Sequence, residues 1–76
     1  MSSFRSDLEA YLVMCDRHIA QGHASIARQR AAIQILPKDA RTTNMADRLL
    51  LCLLDSQRLH EDHREQLLTM IDTAVD

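Results

Sequence analysis

The chain has 76 residues, of which 46% are hydrophobic and 26% are charged, and its formal net charge is −2. A chain of this length forms at most one small domain, and this balance of apolar and charged residues is typical of a folded protein rather than a disordered one. A weakly negative chain has no general attraction to nucleic acid or to anionic lipid, so we expect neither as a partner.

We expect a cytoplasmic protein. The first residues, Met1 to Glu9, lack the basic stretch and apolar run of a signal peptide. The longest apolar run, Leu49 to Leu54, is far shorter than the roughly 20 residues that span a bilayer. Cys15 and Cys52 fall on different predicted helices and at different levels, so we expect no disulfide, which fits a reducing compartment.

The first predicted helix spans residues 6–35. Ser6 is the favoured N-cap because Glu9 completes a capping box, and Ser3 is a competing cap one turn earlier. The end of the helix is set by Pro37, the only proline, because the residue before a proline is disfavoured in the α region. Apolar residues recur with the period of a helix packed lengthwise on another, and the series is Leu8, Leu12, Cys15, Ile19, Ile26, Ile33 and Leu36.

A connection over residues 36–42 leads to a second helix over residues 43–74. Asp39, Thr42 and Thr43 are candidate N-caps, and Thr42 is favoured. The second helix has its own seven-residue series of Ala46, Leu53, His60, Leu67 and Ala74, flanked by Leu50, Gln57, Arg64 and Ile71. Because two long helices joined by a short loop pack antiparallel, the sequence predicts a single all-α domain, an antiparallel two-helix hairpin. A turn centred near residue 39 would make the numbers of facing residues sum to about 78.

The predicted hairpin has more apolar residues near its loop than one seam can bury. Residues 49–54 are six consecutive apolar residues and therefore surround the helix. Local shielding among the leucines is one outcome. The other, which we favour, is a homodimer that forms a four-helix bundle, or a groove that receives a helix of a larger protein. The predicted interface residues are Ile33, Ile35, Leu49, Leu50, Leu51, Leu53 and Leu54, with Leu51 and Leu54 pointing away from the first helix.

A polar layer is predicted at the middle of the seam. It consists of His18, Gly22, Gln29, Gln57, His60 and Arg64. The simplest interpretation is a hydrogen-bonded layer that fixes register and partner number. Gly22, the only glycine, is expected to let the second helix or the Gln57 side chain approach closely.

Two other interpretations of this layer stay open. One is a zinc, copper or nickel site. These ions accept nitrogen and sulfur ligands, and each predicted helix carries one pair of such side chains three residues apart. The candidate ligands are Cys15, His18, His60 and His63. The other is a pH-responsive interface, in which buried neutral His18 or His60 near Arg64 resists protonation and acid loosens the bundle. Neither needs catalysis, and the sequence contains no Ser/His/Asp set and no glycine-rich phosphate loop, so we expect no enzyme.

Charge is distributed unevenly along the predicted hairpin. Between Arg28 and Arg48 five basic residues stand against two acidic ones, a local charge of +3, and the remaining four basic and nine acidic residues give −5. The loop end is therefore basic and the other end acidic. This pattern favours an antiparallel dimer in which each basic tip lies against an acidic end.

Several short patterns resemble a widespread family of small uncharacterised helical-hairpin proteins of alphaproteobacteria. They are His18-Ile19-Ala20-x-Gly22, Ile26-x-x-Gln29, Thr42-Thr43 with Ala46 and Leu49-Leu50, and His60-x-x-x-Arg64. The resemblance covers residues 12–68 and implies a bacterial helical hairpin with no assigned activity. The chain departs from the family pattern at His23, where an acidic residue is usual, and in the Pro37-Lys38-Asp39 linker, where a glycine is common. We therefore expect a small non-catalytic interaction or regulatory protein, with a metal-binding bundle as the alternative.

Overall fold

The protein is an all-helical hairpin. The computed structural model describes residues 3–74, in which α1 spans Phe4–Ile35 and α2 spans Ala40–Thr73. The two helices pack against each other along their whole length, so the hairpin measures 57 × 15 × 14 Å. None of the described helices combines the length and the apolar character needed to cross a membrane.

The first helix begins two residues earlier than the sequence predicted. Ser3, and not Ser6, is the N-cap, and its side chain accepts a hydrogen bond of 3.0 Å from the Ser6 backbone amide. The helix ends at Ile35, and Leu36 is extended with a ψ of 152°. This extended residue is the one that precedes Pro37, where the proline ring disfavours the helical conformation.

The second helix also begins earlier than predicted, at Ala40, and the preference for Thr42 as its N-cap was wrong. Asp39 is the N-cap, and its Oδ1 accepts a hydrogen bond of 2.9 Å from the Thr42 amide. This bond lowers the pKa of the Asp39 carboxyl below its ordinary value of 3.8. Because α2 starts at residue 40, the connection contains four residues, 36–39, and not the seven that were predicted.

The shorter connection changes the register of the seam. Contacts between the helices join Cys15 to His60, Ile19 to Gln57 and Gln29 to Ala46, so the numbers of facing residues sum to 75 or 76 rather than 78. The predicted apolar series face each other in this register, and a buried hydrophobic cluster contains Leu8, Cys15 and Leu67.

The core is thin. The buried hydrophobic residues among the described ones are Leu8, Cys15, Ile26, Ala46 and Leu67, and no large side chain is completely enclosed. This follows from the architecture, because each helix has only one neighbour and can bury only one stripe of its surface. Hairpin stability therefore depends strongly on a few seam contacts and on the helix caps.

The Asp39 cap predicts a specific pH dependence. The folded-state pKa is lowered, so the stabilisation by Asp39 is present above its ordinary pKa and is lost as the pH falls through the folded-state pKa. We expect Asp39→Ala to lower the melting temperature at pH 7, and the difference from the wild type to shrink as the pH is lowered through 4 to 2. Thermal unfolding monitored by circular dichroism measures both the difference in melting temperature at pH 7 and its change with pH.

The matched control is Asp55→Ala, which removes an exposed carboxylate from the middle of the same helix. This substitution should leave the melting temperature nearly unchanged at pH 7, since it touches no helix end. An Asp39→Ala variant as stable as the wild type at pH 7 would contradict the assignment of this cap.

Candidate functional site

Three side chains in the seam bind the backbone of the opposite helix. Gln57 Nε2 donates to the Ile19 carbonyl at 2.9 Å, and Gln29 Nε2 donates to the Ala46 carbonyl at 3.0 Å. Cys15 Sγ donates to the His60 carbonyl at 3.3 Å. A helix carbonyl that already accepts an intrahelical bond can accept a second one on its other lone pair. These bonds tie each helix to one position along the other and so fix the register.

Gln57 is the most buried polar residue described, with 6% of its surface exposed, and it lies against Gly22. A Cβ atom at residue 22 would overlap with Gln57 Oε1, so the glycine provides the space that this amide occupies. Within the described residues Oε1 accepts no hydrogen bond. A buried acceptor without a donor reduces stability, so Gln57 serves register more than net stability.

His18 and His60 form an imidazole pair, but His18 is exposed and His60 is half-buried. Their ring centroids are 5.4 Å apart with an interplanar angle of 33°. Together with Cys15 and His63 they line a pocket of about 110 Å³. The burial on which the pH-responsive interpretation was based is therefore absent at His18.

The four candidate metal ligands share this pocket without forming a metal centre. Within residues 3–74 no group of three or more His, Cys, Asp or Glu side chains is arranged to hold an ion. The Cys15 thiol is instead buried and hydrogen-bonded to a backbone carbonyl. A single chain thus offers the His18–His60 pair, which is fewer than the four ligands that a structural zinc site uses.

Arg64 lies on the other side of the seam from this pocket. Its Nε donates to Asp16 Oδ1 at 2.7 Å, and this ion pair raises the pKa of the Arg64 guanidinium. Both side chains are more than a third exposed, so the pair contributes little to stability. The sequence assigned Arg64 to the polar layer but gave no indication that Asp16 is its partner.

The predicted interface residues divide into two groups. Ile33, Leu50, Leu53 and Leu54 are half-buried, and only Ile35, Leu49 and Leu51 are exposed, with exposed fractions of 84%, 50% and 60%. The expectation that Leu54 points away from α1 was wrong. Leu54 lines a groove between the helices with Ile26 and Gln57.

Sequence reasoning missed a larger apolar surface that runs along one side of the hairpin. It comprises two stripes with alternating spacings of three and four residues, one on each helix, and we call it the apolar face. On α1 the stripe is Phe4, Asp7, Tyr11, Met14, His18, Gln21, Ser25, Arg28, Ala32 and Ile35. On α2 it is Thr42, Met45, Leu49, Cys52, Ser56, Leu59, His63, Gln66, Met70 and Thr73. These positions adjoin the seam, so the signal was available in the spacing, but they are scattered in sequence and polar residues interrupt them.

No protein-family model, curated protein or solved structure significantly matches the chain. The resemblance to alphaproteobacterial hairpin proteins therefore stays a prediction.

The contact between Gly22 and Gln57 gives a testable coupling. An alanine at a helical glycine adds about 0.8–1 kcal/mol of helix stability, but overpacking a filled site costs roughly 1–3 kcal/mol. We expect Gly22→Ala alone to lower the free energy of unfolding by about 1 kcal/mol. In a Gln57→Ala background the same substitution should raise it by about 0.8–1 kcal/mol, because the space is then free. Urea unfolding of the wild type, the two single variants and the double variant, all at one protein concentration, measures this double-mutant cycle. Additive effects on the free energy of unfolding would contradict the proposed role of Gly22.

Proposed function

We propose that this protein is a small, non-catalytic interaction module of the cytoplasm that self-associates, with two hairpins forming a four-helix bundle. The observation that carries the proposal is the amount of apolar surface that the hairpin leaves exposed. It is supported by the free thiols of Cys15 and Cys52, which suit a reducing compartment.

The exposed area is large for a chain of this mass. The hairpin has an accessible surface of 5942 Å², whereas a compact monomer of 8.7 kDa is expected to expose about 4700 Å². The excess of about 1200 Å² follows from the elongated shape, and apolar side chains contribute to the exposed surface, because Ile35, Leu49, Leu51 and Leu59 are each at least half exposed. Burying one such side chain contributes roughly 1.5–3 kcal/mol. A thin core therefore gains much of its missing stability by association.

The loop-proximal half was the predicted contact region, and it retains support. Met45 and Leu49 line an open pocket of about 490 Å³ together with Ala32 and Leu36. Ile35, at the end of α1, is the most exposed of the large apolar residues described. A pocket of this kind accepts apolar side chains from another helix, in a second copy or in a larger protein.

Self-association is tested directly by sedimentation equilibrium and native mass spectrometry of the untagged wild-type chain. We expect a species of twice the chain mass of 8.7 kDa at micromolar concentrations, and a melting temperature that rises with protein concentration. The rise follows from mass action, because association stabilises only the folded state. A chain that stays monomeric throughout, with a melting temperature independent of concentration, would refute the proposal.

Metal binding is the second candidate, and the His18–His60 pair is the observation in its favour. Because no third ligand joins that pair among residues 3–74 of one chain, we expect zinc, copper or nickel to leave the melting temperature of the wild type unchanged. A stoichiometric rise that His18→Ala with His60→Ala abolishes would reverse this ranking. Each titration is best made on protein purified without an affinity metal column.

A further inference from the structure

We propose that the contact surface is the apolar face, which shares only Leu49 and Cys52 with the leucine block of residues 49–54, and that its occupant is a second copy of this chain lying antiparallel across it. This inference rests on the self-association proposed above and specifies its surface and geometry. It transfers Leu51 and Leu54 from the interface to the outside of the dimer.

The two stripes of the apolar face lie on the same side of the hairpin. Tyr11, Met14 and His18 of α1 line one pocket together with His63 of α2. Nearer the loop, Ala32 of α1 lines another with Leu49. Both pockets open between the helices, so the stripes are adjacent over most of the length of the hairpin and form one continuous surface.

The most exposed apolar side chains are concentrated on this face. Within residues 3–74, the large apolar residues that are exposed belong to it with two exceptions, Val13 and Leu51. Leu59 is 69% exposed and Tyr11 is 59% exposed, which places them among the largest unburied apolar surfaces of the chain. A concentration of this kind on one side, along 57 Å, is the pattern of a surface that another chain covers.

Charge is nearly absent from the apolar face and abundant opposite it. Asp7 and Arg28 are its only Asp, Glu, Lys or Arg residues, and the α2 stripe contains none between Thr42 and Thr73. The groove on the other side of the seam is lined by Arg30, Arg58 and Glu61. Since charged groups resist burial, only the first surface can be covered at low cost in desolvation.

The area fits a dimer. A face of 57 × 15 Å has an area of about 850 Å², close to the roughly 800 Å² that each partner contributes to a stable interface. It is smaller than the excess surface of the hairpin over a compact monomer, which is about 1200 Å². A second copy offers a surface of the same length and the same apolar character, so both would be covered at once.

Charge complementarity favours the antiparallel arrangement. Asp7 lies toward the acidic end of the face and Arg28 toward the basic loop end, so an antiparallel copy brings opposite charges toward each other. A parallel copy would place each of them beside its like, and would also align the two basic tips. In the antiparallel arrangement α1 lies across α1 of the second copy, so Ile35 of one chain faces Phe4 of the other, whereas within one hairpin these residues are about 45 Å apart at 1.5 Å per residue.

Two matched substitutions distinguish the apolar face from the leucine block. Leu59→Glu places a carboxylate on the face, and Leu51→Glu places one at a site of similar exposure outside it, 60% against 69%. We expect Leu59→Glu to raise the dimer dissociation constant by on the order of 100-fold, since two carboxylates per dimer would be buried. Leu51→Glu should leave it within about threefold of the wild type. Sedimentation equilibrium gives the constants, and circular dichroism confirms that each variant stays helical.

The outcomes separate this inference from the proposed function. A wild-type chain that is monomeric overturns both. A wild-type dimer that Leu51→Glu dissociates while Leu59→Glu does not returns the interface to the leucine block and leaves self-association intact. Dissociation by both variants would mean that the contact is not confined to the apolar face, and would overturn the inference in the same way.

Cysteine crosslinking tests the geometry. Two chains, both carrying Cys52→Ser, are made with Ile35→Cys or Phe4→Cys and are oxidised separately and as a mixture. We expect the mixture to give a disulfide between the two variants, while each variant alone gives little. A disulfide between two Ile35→Cys chains would indicate a parallel dimer, and no crosslink in any sample would contradict contact between these ends.

Discussion

The structure depends on one constraint: a helix with a single neighbour can bury only one stripe of its surface. In this hairpin the buried stripe of each helix contains its apolar series. Residues outside these stripes stay largely exposed, whether they are polar or apolar. The thin core and the large accessible surface are consequences of this geometry, not of a poor sequence. The chain has enough apolar residues for a larger core, but the hairpin gives them no second surface to pack against.

Polar residues in the seam reduce the apolar surface that is buried, but they fix the register of the two helices. Gln57 and Gln29 occupy places where leucine would bury more surface, and one amide oxygen of Gln57 has no donor among the described residues. Their Nε2 atoms bind backbone carbonyls of the opposite helix, however, and a shift by one residue would break both bonds. A seam of aliphatic residues alone would allow neighbouring registers of similar energy. Here the polar contacts exclude them, as single polar seam residues do in coiled coils.

The sequence predicted the hairpin and the residues of its seam because both follow from local signals. Pro37 interrupts the helices, and a seven-residue period indicates the buried stripe whatever the exact ends. The N-cap of α2 could not be decided in this way, because Asp39 and Thr42 are both good caps and the backbone conformation selects between them. Placing the N-cap three residues too late lengthened the predicted loop. It also raised the expected sum of facing residue numbers to 78, whereas the observed sum is 75 or 76.

The apolar face was missed for a related physical reason. The run of leucines from residue 49 to 54 is prominent because its members are adjacent in sequence, yet adjacent helical residues point in different directions. Leu50 and Leu53 belong to the seam, and Leu54 lines the charged side. The face combines residues three and four apart on two helices, and only the pairing of those helices reveals it.

In the proposed dimer, folding and association would be coupled. Ordering each residue costs about 1–2 kcal/mol of conformational entropy, and a two-helix seam recovers that cost by a narrow margin. A cover on the apolar face would add burial without ordering new backbone, and this burial would offset the translational and rotational entropy lost on association. The polar contacts in the seam fix the relative positions of the two helices, and therefore determine which residues lie on the apolar face. The same few hydrogen bonds would therefore specify both the register within the hairpin and the proposed recognition outside it.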